Sequence, residues 1–534
     1  MRLPLLLLTL GLASAPAQTP APDLATNPSA AVGQLNPDLP TLFVAGDSTA
    51  ARGTGVDQMG WGLPFADYFD PTKINVSNRA RGGRSSRTFI TEGLWAKLLA
   101  DVKPGDYVLI QFGHNDAGAI NEEPPGSTRP LRARGTLPGL GDESEAIVNA
   151  LSGQPETVHT FGWYMRQMIA DVKARGATPI VLSLTVRNIW ANGKVERGSG
   201  AYRAWDRELA RREGVAFVDV TRLIADDYQS RGEAAVQQLF KQDHTHTNAA
   251  GADNNAALVV AGLKGLRPSP FAGLLSAKGQ AVTADGIGWL NLPEPANPDL
   301  PTLLLIGDST VRNGGGDGAG GQWGWGDPLA DHFDAAKLNV VNRAIGGLSS
   351  RTFLTQGHWQ RALTLLKPGD VVVMQFGHND NGPLNDDSRA RGTIKGTGPE
   401  TETIFNLITH QREVVHTYGW YLRQYILEAK AAGVIPVVCS PVPRKTWQDG
   451  KIVRSSGEGY AGWARQVAEE EGVAFIDLNA LIAERYDALG EGKVDALFAD
   501  PHTHTSRAGA ELNASIVAEA LRALPGAAFA PLEK

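Results

Sequence analysis

Short apolar runs, each stopped by a polar turn, recur along the chain. "TLFVAGDS" at 41–48 is apolar at successive positions and ends on a Gly-Asp pair, the pattern of a parallel strand buried on both faces. "INVSNRA", "DYVLIQFG", "TPIVLSL" and "VAFVDV" repeat it. Stretches with helical spacing lie between them. "VHTFGWYMRQMIADVKARG" ends on Gly176, a common residue just past a helix C-terminus. "TNAAGADNNAALVVAGLKGL" predicts a helix capped by Thr247 or Asn248. Alternating strands and helices predict a parallel sheet covered on both faces. The right-handed crossover rule makes that sheet doubly wound and flavodoxin-like, an α/β/α sandwich.

The pattern is written twice. "NPDLPTLFVAGDSTA" at 36–50 returns as "NPDLPTLLLIGDSTV" at 297–311, and "VLIQFGHND" returns as "VVMQFGHND". The chain therefore divides into two tandem modules, 36–270 and 296–530, joined by a linker at 271–295. Each is long enough to bury its own core, so this is a pair of domains and not a solenoid.

A hydrophobic content of 42% and a charged content of 20% suit globular domains. The net charge of −7 speaks against a nucleic-acid binder and gives no attraction to an anionic membrane. The opening "MRLPLLLLTLGLASAPAQ" predicts a signal peptide at 1–17, with Ala15 and Ala17 at the small-residue cleavage positions. An uncleaved anchor is the alternative, although the apolar run is too short to span a bilayer. The expected protein is secreted, with a flexible lead-in at 18–35 and no membrane association after signal removal. The single cysteine, Cys439, excludes an internal disulfide and is expected as a buried thiol within an apolar strand.

The candidate chemistry lies where predicted strands end. Ser48 follows the first strand in "AGDSTA", Gly82 and Gly83 follow the second, and Asn115 follows the third in "QFGHND". Each residue has a plain turn reading. Each also has a chemical one: a nucleophile, a glycine that lets backbone approach a ligand, and an amide that donates to an oxyanion. "DHTHT" then places Asp243, His244 and His246 together. Three readings stand: a zinc site, which lacks a visible further ligand; a solvated loop; or a base, His246, oriented by Asp243 to take the proton of Ser48. All of these motifs are expected at a strand end or in the loop just after it.

The order Ser, Gly, Asn, Asp-x-x-His resembles the SGNH, or GDSL-type, hydrolase superfamily. "GDST", "GWG", "GRSSRTF", "QFGHND", "RGTLPG" and "DHTHT" further resemble the rhamnogalacturonan acetylesterases of carbohydrate esterase family 12. The resemblance covers nearly all of each module. It implies a secreted esterase that needs neither metal nor cofactor and removes acetyl groups from acetylated plant cell-wall polysaccharide. Ser48 matches the nucleophile, Gly83 and Asn115 the oxyanion hole, His246 the base and Asp243 its orienting acid. In the second module Ser309, Gly347, Asn379 and His504 match the same roles.

The second copy departs from the first. "DPHTH" puts Pro501 opposite Asp243 and moves the acid one position early, to Asp500. Proline constrains the residue before it, so module 2 is expected to be active but weaker. Around the glycines, module 1 carries Arg79, Arg81, Arg84 and Arg87, while module 2 has Ile345 and Leu348 in place of Arg81 and Arg84. Arginine pairs with carboxylates, so Arg81 and Arg84 are candidate contacts to a more acidic polymer. Solvated surface arginines are the alternative. Trp163 and Trp420 are expected in the core. Trp190 and Trp447 follow the fourth strand and are candidate sugar-stacking platforms. Two other functions remain open: an SGNH lipase or thioesterase of broad specificity, and a carbohydrate-binding protein with one weakened module. The oligomeric state is not encoded in these patterns.

Overall fold

The five apolar runs of the first module each become a strand. Module 1 contains β1 (Thr41–Gly46), β2 (Asn75–Asn78), β3 (Tyr107–Gln111), β4 (Ser144–Val148), β5 (Pro155–His159), β6 (Thr178–Leu182), β7 (Trp190–Ala191), β8 (Lys194–Val195) and β9 (Ala216–Val218). Five of them form a parallel sheet in the order β2-β1-β3-β6-β9, the flavodoxin-like order. The computed structural model describes residues 35–524 except 129, 199, 456 and 458. The expected signal peptide and all but the last residue of the lead-in lie outside the described residues.

Module 2 repeats the plan with β10 (Thr302–Gly307), β11 (Asn339–Asn342), β12 (Val371–Gln375), β13 (Thr401–Asn406), β14 (Gln411–His416), β15 (Ile435–Cys439), β16 (Trp447–Gln448), β17 (Lys451–Ile452) and β18 (Ala474–Ile476). Its sheet order is β11-β10-β12-β15-β18. The apolar runs are continuous because both faces are covered. Leu303 and Leu305 point into one core cluster with Val371 and Val373, while Leu304 and Ile306 point into the other with Val372 and Met374. Cys439 lies buried in the first of these clusters.

The helices of module 1 are α1 (Ser86–Thr91), α2 (Leu94–Asp101), α3 (Phe161–Ala174), α4 (Tyr202–Glu213), α5 (Val220–Arg231), α6 (Glu233–Gln237), α7 (Ala249–Gly265) and α8 (Ala277–Ala281). Thr160 caps α3 by accepting from the Trp163 amide. The preceding Val158 and His159 are strand, not helix as their sequence suggested. They belong to the antiparallel ribbon β4–β5, whose alternating polar pattern gave no strand signal against the helical run that follows. Trp163 and Trp420 are half-buried rather than in the core, and stack on His159 and His416 with centroids 3.9 and 3.7 Å apart.

The segment 271–295 is not a linker. The chain divides into one compact unit that ends with 269–284 and another that comprises 265–268 and the residues from 285 onward. Phe271 is fully buried against Phe69 and Tyr107, and Ser276 donates through its amide and hydroxyl to the Tyr68 and Asp67 carbonyls. On the other side of the boundary, Leu290 and Leu292 are buried in the module 2 core. These large apolar side chains gain too much from burial to remain in a solvated tether.

Arg87, on α1, joins that helix to the ribbon and to the loop between β3 and β4. Its side chain is fully buried and makes two hydrogen bonds to Glu156 of β5, at 2.7 and 2.8 Å, and two to the carbonyls of Ile120 and Gly135. Arg351 makes the same set with Glu413, Leu384 and Gly392. Removing one partner of such a buried pair costs about 3–5 kcal/mol. In urea unfolding of the full chain, Arg87→Ala should move the module 1 transition down by that amount and leave the module 2 transition in place.

Candidate active site

Three site residues stand at the carboxyl ends of neighbouring strands. Ser48 follows β1 in a turn shaped by Asp47, whose carboxylate accepts from the Thr49 amide and hydroxyl at 2.8 and 2.9 Å. Gly83 follows β2 at φ +79°, in the left-handed region that favours glycine. A Cβ added to the adjacent Gly82 would lie 3.7 Å from Ser48 Cβ, so this loop runs directly against the serine. Asn115 follows β3 and donates one amide hydrogen to the Arg84 carbonyl at 2.9 Å. β1 lies between β2 and β3, and the crevice where strand order reverses is where open α/β sheets bind ligands.

The next residue, Asp116, ties these loops together. It accepts from the Ser86 amide at 3.0 Å and from the Ser86 hydroxyl at 2.5 Å. Burial pushes the Asp116 carboxyl up to about 7, against the opposing pull of both bonds. Sequence reasoning passed over Asp116, although its recurrence as Asp380 in the second "GHND" was a signal. Asp380 and Ser350 meet at the same 2.5 Å.

The Asp-His loop enters from a different direction. It lies between α6 and α7 and not after a strand, correcting the expectation for this motif. Its position is set by backbone bonds from two strand-end loops: the Met59 amide donates to Thr247 O at 2.8 Å, and the Asn188 amide donates to His244 O at 2.7 Å. The Asn248 side chain accepts from the Gly251 amide at 3.0 Å, which makes Asn248 the cap of α7. His246 is thereby held with Nε2 2.8 Å from Ser48 Oγ and Nδ1 2.7 Å from Asp243 Oδ2. Asp243 Oδ1 accepts from the amides of Thr245 and His246. Burial opposes ionisation of Asp243, but these bonds outweigh it and hold the carboxyl below its usual range. No cluster of three or more metal-binding side chains occurs among the described residues.

Module 2 reaches the same arrangement by a different route. His504 Nε2 is 2.9 Å from Ser309 Oγ, and its Nδ1 is 2.5 Å from Asp500 Oδ2. Pro501 does not divert Asp500. The carboxylate reaches one residue further and accepts from three amides, of His502, Thr503 and His504. Burial again opposes its ionisation, and the bonds again prevail, holding it well below the usual carboxylate range. Gly347 has φ +84°, and Asn379 donates to Leu348 O at 2.8 Å. This geometry gives no reason for weaker chemistry in module 2.

Ser48, Gly83, Asn115 and His246 line one cleft of about 520 Å³. Of the two candidate arginines, Arg81 lines it and Arg84 does not. Arg84 instead pairs with Glu92 at 2.9 Å and donates to Gly82 O. Trp190 is also absent from the cleft and donates its indole hydrogen to Asn188 Oδ1 at 2.8 Å. Trp447 packs against the module 2 core. Both tryptophans sit on short ribbons with an apolar side to cover, which explains them without a sugar. Sequence reasoning missed Arg52, four residues after Ser48, and Arg132, Arg134 and Arg187, which line the cleft from loops distant in the chain. "RARGT" at 132–136, repeated at 389–393, was the available signal.

The sequence profile of the GDSL-like lipase/acylhydrolase family matches residues 44–253 and again 305–512. A rhamnogalacturonan acetylesterase of Emericella nidulans is 35% identical over 213 residues, covering 40% of this chain and 79% of that protein. The "Probable rhamnogalacturonan acetylesterase YesY" of Bacillus subtilis is 33% identical over 227 residues, covering 42% and 93%. The rhamnogalacturonan acetylesterase RhgT of the same organism is 27% identical over 242 residues, covering 42% and 90%.

A titratable neighbour makes module 1 acid-sensitive. His114 bonds Thr185 Oγ1 at 3.1 Å, and burial lowers its pKa to about 4. Its contribution to stability is complete above the unfolded value near 6.5 and is lost as pH falls from there through about 4. The loss amounts to at most about 3 kcal/mol. Urea unfolding at stepped pH should show this loss in the wild type and its absence in His114→Gln.

Proposed function

This chain belongs to the GDSL-like lipase/acylhydrolase family, and we propose that both of its modules remove O-acetyl groups from a pectic, rhamnogalacturonan-like polysaccharide outside the cytoplasm. The esterase chemistry follows from the residues in place. Ser48 Oγ attacks the acetyl carbonyl while His246 Nε2 takes its proton, and Asp243 stabilises the imidazolium that forms. The oxyanion is met by the Ser48 and Gly83 amides and the second N–H of Asn115. His246 then protonates the departing sugar oxygen. Water, activated by the same imidazole, cleaves the acetyl-serine to acetate and restores the hydroxyl. Ser309, His504, Asp500, Gly347 and Asn379 do the same work in module 2.

One observation carries the reading: an unbroken Ser–His–Asp hydrogen-bond chain stands in each module beside a left-handed glycine and a strand-end asparagine. The pectic substrate is supported by the names of the relatives and by Arg81 in the cleft, since galacturonate carries a carboxylate. Action outside the cytoplasm is supported by the signal-like N-terminus. No helix among the described residues is long and apolar enough to cross a membrane.

Acetate release from acetylated rhamnogalacturonan, xylan and chitin tests the proposal. Release chiefly from the first is expected; release chiefly from another polymer rules out the pectic substrate. Ser48→Ala and Ser309→Ala should each remove one module's share, and the double variant should fall to background, a loss on the order of a millionfold. Hydrolysis surviving in the double variant would overturn the mechanism. In the Ser309→Ala background, Asn115→Ala should lower kcat by about a hundred- to a thousandfold.

A further inference from the structure

A glycine that offers its amide to an oxyanion must itself be held still. We infer that Arg391 in module 2 and Arg134 in module 1 are positioning residues: each guanidinium spans from the asparagine loop to the glycine loop, holds the glycine carbonyl and so aims the glycine N–H. This role rests on the acetylesterase reading and adds to it a residue that acts through the loop and not on the acetyl group.

Gly347 and Gly83 sit at φ +84° and +79°. Glycine reaches that region without strain, but for the same reason it does not stay there unaided. Two donors remove the freedom. Asn379 holds the Leu348 carbonyl at 2.8 Å, and Arg391 Nη1 donates to the Gly347 carbonyl at 2.7 Å. Two consecutive carbonyls are thus pinned, while the Gly347 amide donates to no other group among the described residues. In module 1, Asn115 holds the Arg84 carbonyl at 2.9 Å, and Arg134 Nη1 reaches the Gly83 carbonyl at 3.4 Å. That bond is longer, and Arg84 adds a second brace by donating to the Gly82 carbonyl at 3.0 Å. Leu348 stands in the place of Arg84 in module 2 and has no donor to offer, so Arg391 carries more of the load.

The backbone around both arginines is built for this reach. They belong to "RARGT" at 132–136 and 389–393, in the loops between β3 and β4 and between β12 and β13. Ala133 and Ala390, which precede them, are buried at φ +42° and +40°, a left-handed conformation unfavourable for a residue with a Cβ. The same strain at the same place in both copies persists because the surroundings over-determine the turn. The Gly135 and Thr136 amides donate to the carbonyls of Ala119 and Asp116 at 2.8 and 3.0 Å, and the Gly392 and Thr393 amides to those of Pro383 and Asp380 at the same distances. A Cβ on Gly135 or Gly392 would fall 2.0 Å from the carbonyl oxygen of Gly118 or Gly382, so the two backbones are in contact. The Gly118 and Gly382 amides in turn donate to the carbonyls of Asn115 and Asn379 at 3.0 and 3.1 Å. A Cβ on Gly118 would meet Arg134 Nε at 3.3 Å, and one on Gly382 would meet Arg391 Cγ at 3.5 Å. Each arginine therefore crosses the turn that starts at the asparagine before it reaches the glycine loop. Both side chains belong to half-buried residues, where water competes less with a charge-assisted bond to a carbonyl.

The test uses the full chain with one serine replaced at a time, so that Ser48→Ala reports module 2 and Ser309→Ala reports module 1. The substrate is nitrophenyl acetate, which offers an arginine neither charge nor sugar to recognise. Arg391→Ala should lower kcat by about ten- to a hundredfold, the scale of a misplaced group, with KM held within about twofold. Arg391→Lys should lose less, and added methylguanidine should restore part of the Arg391→Ala loss. Methylboronic acid, which joins the serine as a tetrahedral anion facing the same donors, should lose affinity for Arg391→Ala by the same factor as kcat. Arg134→Ala should follow this pattern in module 1, and a second change, Arg84→Ala, should deepen it. If Arg391→Ala fails to fold, Arg391→Lys with the boronic acid carries the comparison. An unchanged kcat in both modules overturns the inference. So does a raised KM with kcat intact, which would make the arginine a substrate contact. A kcat loss without the matching boronic acid loss or the methylguanidine recovery overturns it too, as the mark of a merely structural residue. No nitrophenol from the unmodified chain, or release that survives replacement of both serines, would instead sink the esterase reading, whatever the arginine variants do.

Discussion

Asp116 and Ser86 meet at 2.5 Å in the interior of module 1, and the loops that carry Gly83 and Asn115 depend on that contact. Asn115 is the residue before the carboxyl. Gly83 lies just ahead of Ser85, which caps α1 through a reciprocal bond with Thr88. Fixing Asp116 against the first turn of α1 therefore fixes both of these loops at once. The bond is made where water cannot compete, so losing it would leave a buried carboxyl without its partner. Asp380 and Ser350 repeat the arrangement, with the Asp380 carboxyl likewise pushed up to about 7 by burial.

The parts legible in the sequence were those with a local cause. Five strands per module follow from apolar runs that must be covered on both faces, and the sheet order follows from chain connectivity and handedness. Ser48, Gly83 and Asn115 were readable because strand ends are where a parallel sheet gathers its loops. The ribbon β4–β5 was not readable: it is held by Arg87 and Glu156, a pairing 69 residues apart, and no local pattern announces such a partner. Arg84 and Trp190 show the same limit from the other side. Their residue types suited a ligand, but nearer partners, Glu92 and Asn188, engage them first.

The segment 271–295 was misread because Pro, Gly and small residues look like a tether when taken one by one. Its few large apolar residues decide its fate. Phe271 belongs to one core and Leu290 and Leu292 to the other, so apart from 265–268 the chain passes from one unit to the next at residue 285. What resembles connecting chain is, on its module 2 side, part of that module's core.

The two backbone bonds that hold each histidine loop have a wider meaning. Main-chain atoms do the holding, so the side chains at those positions are under little obligation. Met59 in one copy is Trp323 in the other, and Asn188 is Lys445, yet the bonds to Thr505 O and His502 O persist at 2.9 and 2.8 Å. A latch indifferent to residue identity lets a duplicated gene wander in sequence around this centre while the serine–histidine contact stays intact. The rim can then be rewritten for new ligands long before the catalytic machinery is put at risk.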